Sequence, residues 1–174
     1  LGIGDVTLPI SKTITKEIKK ASQELEKKTT FRGYGPSEGE LFLRKAIKKN
    51  DYKNLDITEK EIFISSGMKK NISTIQELFS ISNTVAIPDP CYPVYLDSNI
   101  IAGREIIFMP CIQKNNFLPV PPKKKIDLIY LCSPHNPTGC AFNYTMLKKW
   151  VDYARKNSSL ILFDSAYCGF ITNK

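Results

Sequence analysis

Two short clusters carry the residue types best suited to chemistry: Ser133-Pro134-His135-Asn136-Pro137-Thr138-Gly139 and Phe163-Asp164-Ser165-Ala166-Tyr167. The first offers an amide side chain inside a proline-and-glycine turn. The second offers a carboxylate followed by a phenol. Ile126 to Leu131 precedes the first as an apolar run of strand length, and Leu160 to Phe163 precedes the second. A helical segment lies between them, so the unit reads strand, turn, helix, strand. That order makes a parallel pair joined by a crossover. Both clusters then sit at the carboxyl ends of adjacent strands, where open α/β sheets place their ligands. Amide and carboxylate can converge there on one small molecule. Taken singly, N-P-T-G is also an ordinary turn and Asp164 an ordinary helix cap.

The elements that must position these groups follow from pattern. Strands are expected near 61–65, 84–88, 105–109, 127–132 and 160–164, in one mostly parallel sheet with helices on both faces. Ser11 to Lys28 reads as a first helix, with Ile14, Ile18, Ala21 and Leu25 forming one apolar stripe. Ser37 to Glu40 matches a capping box for the helix that follows. Ser66-Gly67-Met68-Lys69 reads as a strand-to-helix turn, leading into a helix that carries Ile72, Ile75 and Leu78. A glycine there exposes backbone N–H groups at a helix N-terminus, which suits an anion. Asp89 to Tyr95 is expected to be an extended turn because of its prolines. Lys114 to Lys125 reads as a loop, and Tyr144 to Lys156 as a helix amphipathic through Leu147, Trp150, Val151 and Ala154.

Bulk properties narrow the function classes. A chain of 174 residues with 42% hydrophobic and 24% charged content can bury a core and is of ordinary globular composition. No apolar run approaches membrane-spanning length, and no secretory signal pattern opens the chain. The five cysteines are odd in number and lack C-x-x-C spacing, so reduced thiols in a cytoplasmic protein are the plain expectation. The net charge of +8 is spread over lysine pairs with Glu interspersed, without an aromatic nucleic-acid signature. A solvated basic surface that helps to draw in anionic ligands accounts for it. His135 is the single histidine, so neither a histidine triad nor a His-rich metal site is available.

S-P-H-N-P-T-G followed by F-D-S-A-Y resembles the cofactor-binding core of fold-type I, class I and II aminotransferases, which use pyridoxal 5'-phosphate (PLP). The resemblance implies a three-layer α/β/α fold, the large domain of PLP-dependent transferases, with residues 1–30 as an N-terminal segment and 31–174 as part of that domain. It implies that Asn136 and Tyr167 touch the phenolic oxygen of the cofactor and that Asp164 pairs with the ring nitrogen. A ring nitrogen kept protonated makes PLP an electron sink. D-P-x-Y-P-V-Y places Tyr92 where an aromatic stacks on the ring, and S-S-G-M-K places the phosphate against the Met68 and Lys69 amides. Many relatives have S-D-G-A-K, so Met68 is a departure that backbone binding tolerates. Relatives commonly have Asn where His135 stands, which makes His135 a turn residue.

Y-x-x-x-x-G, matched by Tyr34 and Gly39, is presented in this family to the neighbouring subunit, where its tyrosine meets the phosphate; a homodimer is implied. I-G-D-x-T-x-P lies across the active-site mouth, so Gly4 is expected to touch substrate, along with Lys69, Tyr92 and Asn136. Within the family, I-G-D-V-T, F-R-G-Y-G-P-S-E-G and D-P-C-Y-P-V-Y-L-D resemble members that exchange an amino group between glutamate and the LL-2,6-diaminopimelate precursor in lysine biosynthesis. Another amino-acid aminotransferase of this fold, or an inactive fragment that keeps only the pocket, are the alternatives. No lysine after Tyr167 matches the family's Schiff-base motif; Thr172-Asn173-Lys174 is too close and does not fit. The chain also opens at Leu1 without Met. It is therefore expected to be the front part of a longer enzyme, inactive by itself, with the 61–65 strand lacking its usual neighbour.

Overall fold

The computed structural model describes residues 7–172. Gly4, expected to touch substrate, lies outside the described residues. The chain divides into two compact units at Ile64/Ser65.

The first unit holds two helices. Ser11 caps α1 (Lys12–Glu24), its hydroxyl accepting from the Ile14 N–H at 3.3 Å. The helix stops four residues short of the expected Lys28, and its stripe residues Ile14, Ile18 and Leu25 are each more than half exposed. Helix α2 (Leu41–Asp51) has Glu40, not Ser37, as its cap, and no side-chain capping bond forms there. Gly39 is the reason: at φ +95° it breaks the turn between Ser37 and the helix. A Cβ at Gly39 would lie 2.5 Å from the Cβ of Ile64, so only glycine fits the position. A capping box does form further on, where Glu61 accepts from both the N–H and the hydroxyl of Thr58.

The expected strand at 61–65 is not one. Glu61 ends a short 3-10 turn, and Ile62 is extended. The Ile64 N–H donates to the Glu38 carbonyl, and among the described residues no strand pairs with this stretch. Extended backbone becomes a strand only through a ladder.

The second unit is a four-stranded, wholly parallel sheet in the order β2-β1-β3-β4. Its strands are β1 (Val85–Asp89), β2 (Ile106–Pro110), β3 (Leu128–Cys132) and β4 (Leu160–Asp164). Each starts within a residue of its expected place. The helices are α3 (Met68–Ile75), α4 (Pro93–Ile101) and α5 (Tyr144–Asn157). Alternation along the strands builds two cores. Val85, Ile87, Leu128 and Tyr130 pack with Ile72, Val94 and Tyr95 of α3 and α4. Ala86, Ile129 and Leu131 pack with Met109 of β2, with Phe142 just before α5 and with Trp150 of α5. Both faces of β1 and β3 are thus buried, as parallel strands require. Ile75 and Leu78 depart from the expected stripe: α3 ends at Ile75, a 3-10 turn follows, and Leu78 is exposed.

The expected extended turn at 89–95 ends three residues early. Tyr92 caps α4 and Pro93 takes its first position. Proline is at home there, since its missing N–H would have had no helical partner. The register between β1 and β3 covers only Val85↔Leu128 and Ala86↔Ile129, whereas β1 and β2 pair along five residues.

Candidate functional site

Strand order reverses direction at β1, which lies between β2 and β3. The crevice of such a sheet opens at the carboxyl ends of the strands flanking that switch. Three chain segments leave the sheet there. Asp89 to Tyr92 leave β1, Ser133 to Gly139 leave β3, and Ser165 to Tyr167 leave β4. The Ser133 N–H donates to the Asp164 carbonyl at 3.0 Å, which locks the last two together.

A cavity of about 130 Å³ lies among them. Met68 and Lys69 from the start of α3 line it, with Tyr92 and Tyr95 from the start of α4. Asn136, Asp164 and Tyr167 complete the wall. Six of the seven cofactor-site residues expected from sequence are therefore brought together within the second unit. Tyr34 belongs to the first unit, where its ring is fully exposed.

Each position has a local cause. Gly67 caps α3 at φ +146°, a conformation open to glycine and closed to most other residues. Its N–H is held by the Ser65 hydroxyl at 3.3 Å, and the amides of the first helical turn have no helical acceptors. Asp164 ends β4. Its Oδ1 accepts from the Ala166 N–H at 3.0 Å and its Oδ2 from the Tyr95 phenol at 2.6 Å. Tyr92 packs edge-on against Tyr95, with ring centroids 5.6 Å apart. Asn136 and Asp164 are partly buried, and Tyr167 is 42% exposed, so the cavity is reachable from outside.

Tyr95 is the residue that sequence reasoning missed. Read with Pro93 as a helix start, D-P-C-Y-P-V-Y puts Tyr95 one turn inward of Tyr92, on the same side of α4. The side chain is fully buried, and burial followed by the adjacent Asp164 pushes its pKa far above the ordinary tyrosine value. It remains a proton donor throughout the working range of a protein.

His135 points elsewhere. It is buried, with Nδ1 2.9 Å from the Thr138 hydroxyl, and burial lowers its pKa. A larger cavity of about 670 Å³ lies on the far side of Asn136 and Tyr167, walled by His135, Phe142 and Phe170. It holds no carboxylate, and the helix N-terminus beside it, that of α5, is capped by its own Asn143 side chain. No group of three or more metal-ligating side chains occurs among the described residues, and no helix there is long and apolar enough to cross a membrane.

The sequence profile of the family Aminotransferase class I and II matches residues 1–174. The LL-diaminopimelate aminotransferase of Methanosphaera stadtmanae is 47% identical over 98% of the chain, and that of Desulfotalea psychrophila is also 47% identical over 98%. The chain spans 45% of the length of each. Among solved structures, the L,L-diaminopimelate aminotransferase of Chlamydomonas reinhardtii superposes with a TM-score of 0.88 at 38% identity, over 96% of this chain and 44% of that one. Apo-BacF of Bacillus subtilis superposes with a TM-score of 0.86 at 28% identity, over 100% and 46%.

Proposed function

This chain belongs to the class I and II aminotransferases, and on that premise we propose that it is part of a PLP-dependent enzyme that moves an amino group between glutamate or 2-oxoglutarate and LL-2,6-diaminopimelate or its tetrahydrodipicolinate precursor. The observation that carries the cofactor reading is the convergence of a carboxylate, an amide, three phenols and a helix N-terminus on one cavity. The substrate reading rests on the 44–48% identity to proteins of that name.

The donor set fits the cofactor group by group. The first-turn amides at Met68 and Lys69, beside the glycine that opens α3, suit a dianionic phosphate. Asp164, partly buried and held by two donors, suits a protonated ring nitrogen. Asn136 and Tyr167 supply donors for a phenolate oxygen. Tyr92 offers an aromatic face for the ring. When bound, PLP supplies the electron sink that lets an α-proton leave an amino acid. The protein's own part is to hold a plane, neutralise three charged atoms and keep the ring nitrogen protonated. Lys69, Tyr92, Asn136 and, at the mouth, Gly4 are the residues we assign to substrate as well.

Tyr34 reaches the phosphate of a neighbouring subunit in this reading, which makes the whole protein a cytoplasmic homodimer with shared sites. Full exposure of the Tyr34 ring supports that assignment.

The test is an amino-transfer assay on the full-length protein with 2-oxoglutarate as acceptor. LL-diaminopimelate should be the best donor, with aspartate and aromatic amino acids weak. If an aromatic amino acid turns over fastest, the substrate reading falls and family membership alone stands. Asp164→Asn should lower turnover by orders of magnitude while the protein stays folded.

A further inference from the structure

Tyr95 and Asp164 are 69 positions apart, yet the phenol donates to Oδ2 at 2.6 Å while the Ala166 N–H donates to Oδ1. Tyr95 is held there from several directions. Its ring stacks on Tyr130 with centroids 4.9 Å apart and an interplanar angle of 24°. The Asn99 amide donates to the Tyr95 carbonyl at 2.8 Å and to the Tyr130 hydroxyl at 3.3 Å. Arg104 in turn donates to the Asn99 side-chain oxygen Oδ1 at 3.2 Å. A phenol fixed this firmly has one proton to give, and the Asp164 carboxylate accepts it at 2.6 Å.

We propose that Tyr95 is a positioning residue for the Asp164 carboxylate, holding it in one rotamer so that it faces a cofactor ring nitrogen. The inference rests on the PLP reading above and deepens it. Its physical basis is that charge-assisted hydrogen bonds from two fixed donors leave a carboxylate one orientation. With both oxygens engaged by fixed donors, the carboxylate keeps its remaining lone pairs for the ring N–H.

Other titratable groups face Asp164. The Cys132 thiol approaches from β3, and burial raises its pKa, so it stays neutral. Lys69 and Tyr167 share the cavity, and Tyr92 lines its wall. None of these is among the hydrogen-bond donors to Asp164.

The decisive measurement is the 13C NMR signal of the Asp164 side-chain carboxyl carbon at one fixed neutral pH in the full-length protein without cofactor, with Asp164→Asn identifying the resonance. Tyr95→Phe should shift and broaden that signal, because one of the two donors that fix the carboxylate is gone. Tyr130→Phe removes a neighbouring buried hydroxyl that does not touch Asp164, so it should leave the signal in place. An unmoved signal in Tyr95→Phe, or an equal change in Tyr130→Phe, overturns the proposal. If Tyr95→Phe does not fold, 3-fluorotyrosine at position 95 is a stronger donor of the same shape and should also shift the signal; no movement again overturns it. PLP binding by fluorescence quenching separates the two readings. Wild type that binds no PLP removes the premise. Wild type and Tyr95→Phe that bind equally tightly remove only the role of Tyr95, for which roughly tenfold weaker binding is expected.

Discussion

His135 Nδ1 lies 2.9 Å from Thr138 Oγ1, and that hydroxyl donates onward to the Phe117 carbonyl at 3.2 Å. Because the hydroxyl proton goes to Phe117, the imidazole is the donor in the first bond and carries its proton on Nδ1. Nε2 is then a bare lone pair, buried and without a partner among the described residues. The loop that carries Asn136 is tied through this bond to the loop after β2.

Protonating Nε2 would bury a cation, which is why burial lowers the His135 pKa below 6.5. The unfolded chain therefore binds more protons than the folded one just below that value. Stability should fall as pH drops through about 6.5 and level off below the folded-state pKa. His135→Asn should show a shallower fall, seen as urea midpoints that converge with wild type at acid pH. Parallel curves would mean that His135 takes no part in the acid response.

Arg104 is buried and makes only neutral contacts, to the Gln76 side chain and carbonyl, Asn99, Ser80 and Phe79. It pins the end of α3 against α4. Arg104→Met should cost about 3 kcal/mol or more, since several buried acceptors lose their donor at once. Arg104→Lys should recover only part of this, because an ammonium cannot span the same fork. Chemical denaturation of both variants decides the matter; a lysine variant as stable as wild type contradicts the geometry.

Gly39→Ala should destabilise the first unit by about 2 kcal/mol, from a disfavoured φ and a methyl forced against Ile64. Limited proteolysis should then cut within residues 7–64 earlier than in wild type. Unchanged cleavage would mean that the contact relaxes freely.

The thiols should differ sharply in reactivity. Burial raises Cys91 and Cys111 to about 11, whereas Cys168 is exposed. At about pH 8 the two raised groups are roughly 0.1% thiolate, so a disulfide reagent should label Cys168 first. Mass mapping of a short exposure checks this, and early labelling of Cys111 would refute it.

The sheet and its ligand crevice were legible because buried parallel strands leave a strong mark. Leu128 to Cys132 is a run with no polar residue, and all five are buried. The grouping of Asn136, Asp164 and Tyr167 was legible because the turns after β3 and β4 are local: each places its side chain within a few residues of a strand end. Tyr95 was not, since its significance lies in a contact with a residue 69 positions on, across two strands. The 61–65 stretch was expected to lack its usual neighbour, and without one it forms no strand among the described residues. Glu61-Ile62-Phe63-Ile64 has strand composition, but composition cannot supply the neighbour that a ladder needs. Likewise Ser37 and Glu40 have capping-box spacing, and a glycine at φ +95° between them decides against it.

The two-residue register between β1 and β3 bears on how such a protein can change its diet. β2 follows β1 to its last residue, whereas β3 is paired with β1 at only two positions at the start of each strand. The opening is written into the backbone, upstream of any side chain that lines it. Substitutions at its rim can then retune what is admitted without having to build the doorway again. Descendants of one scaffold could part company over their meals while keeping the same table.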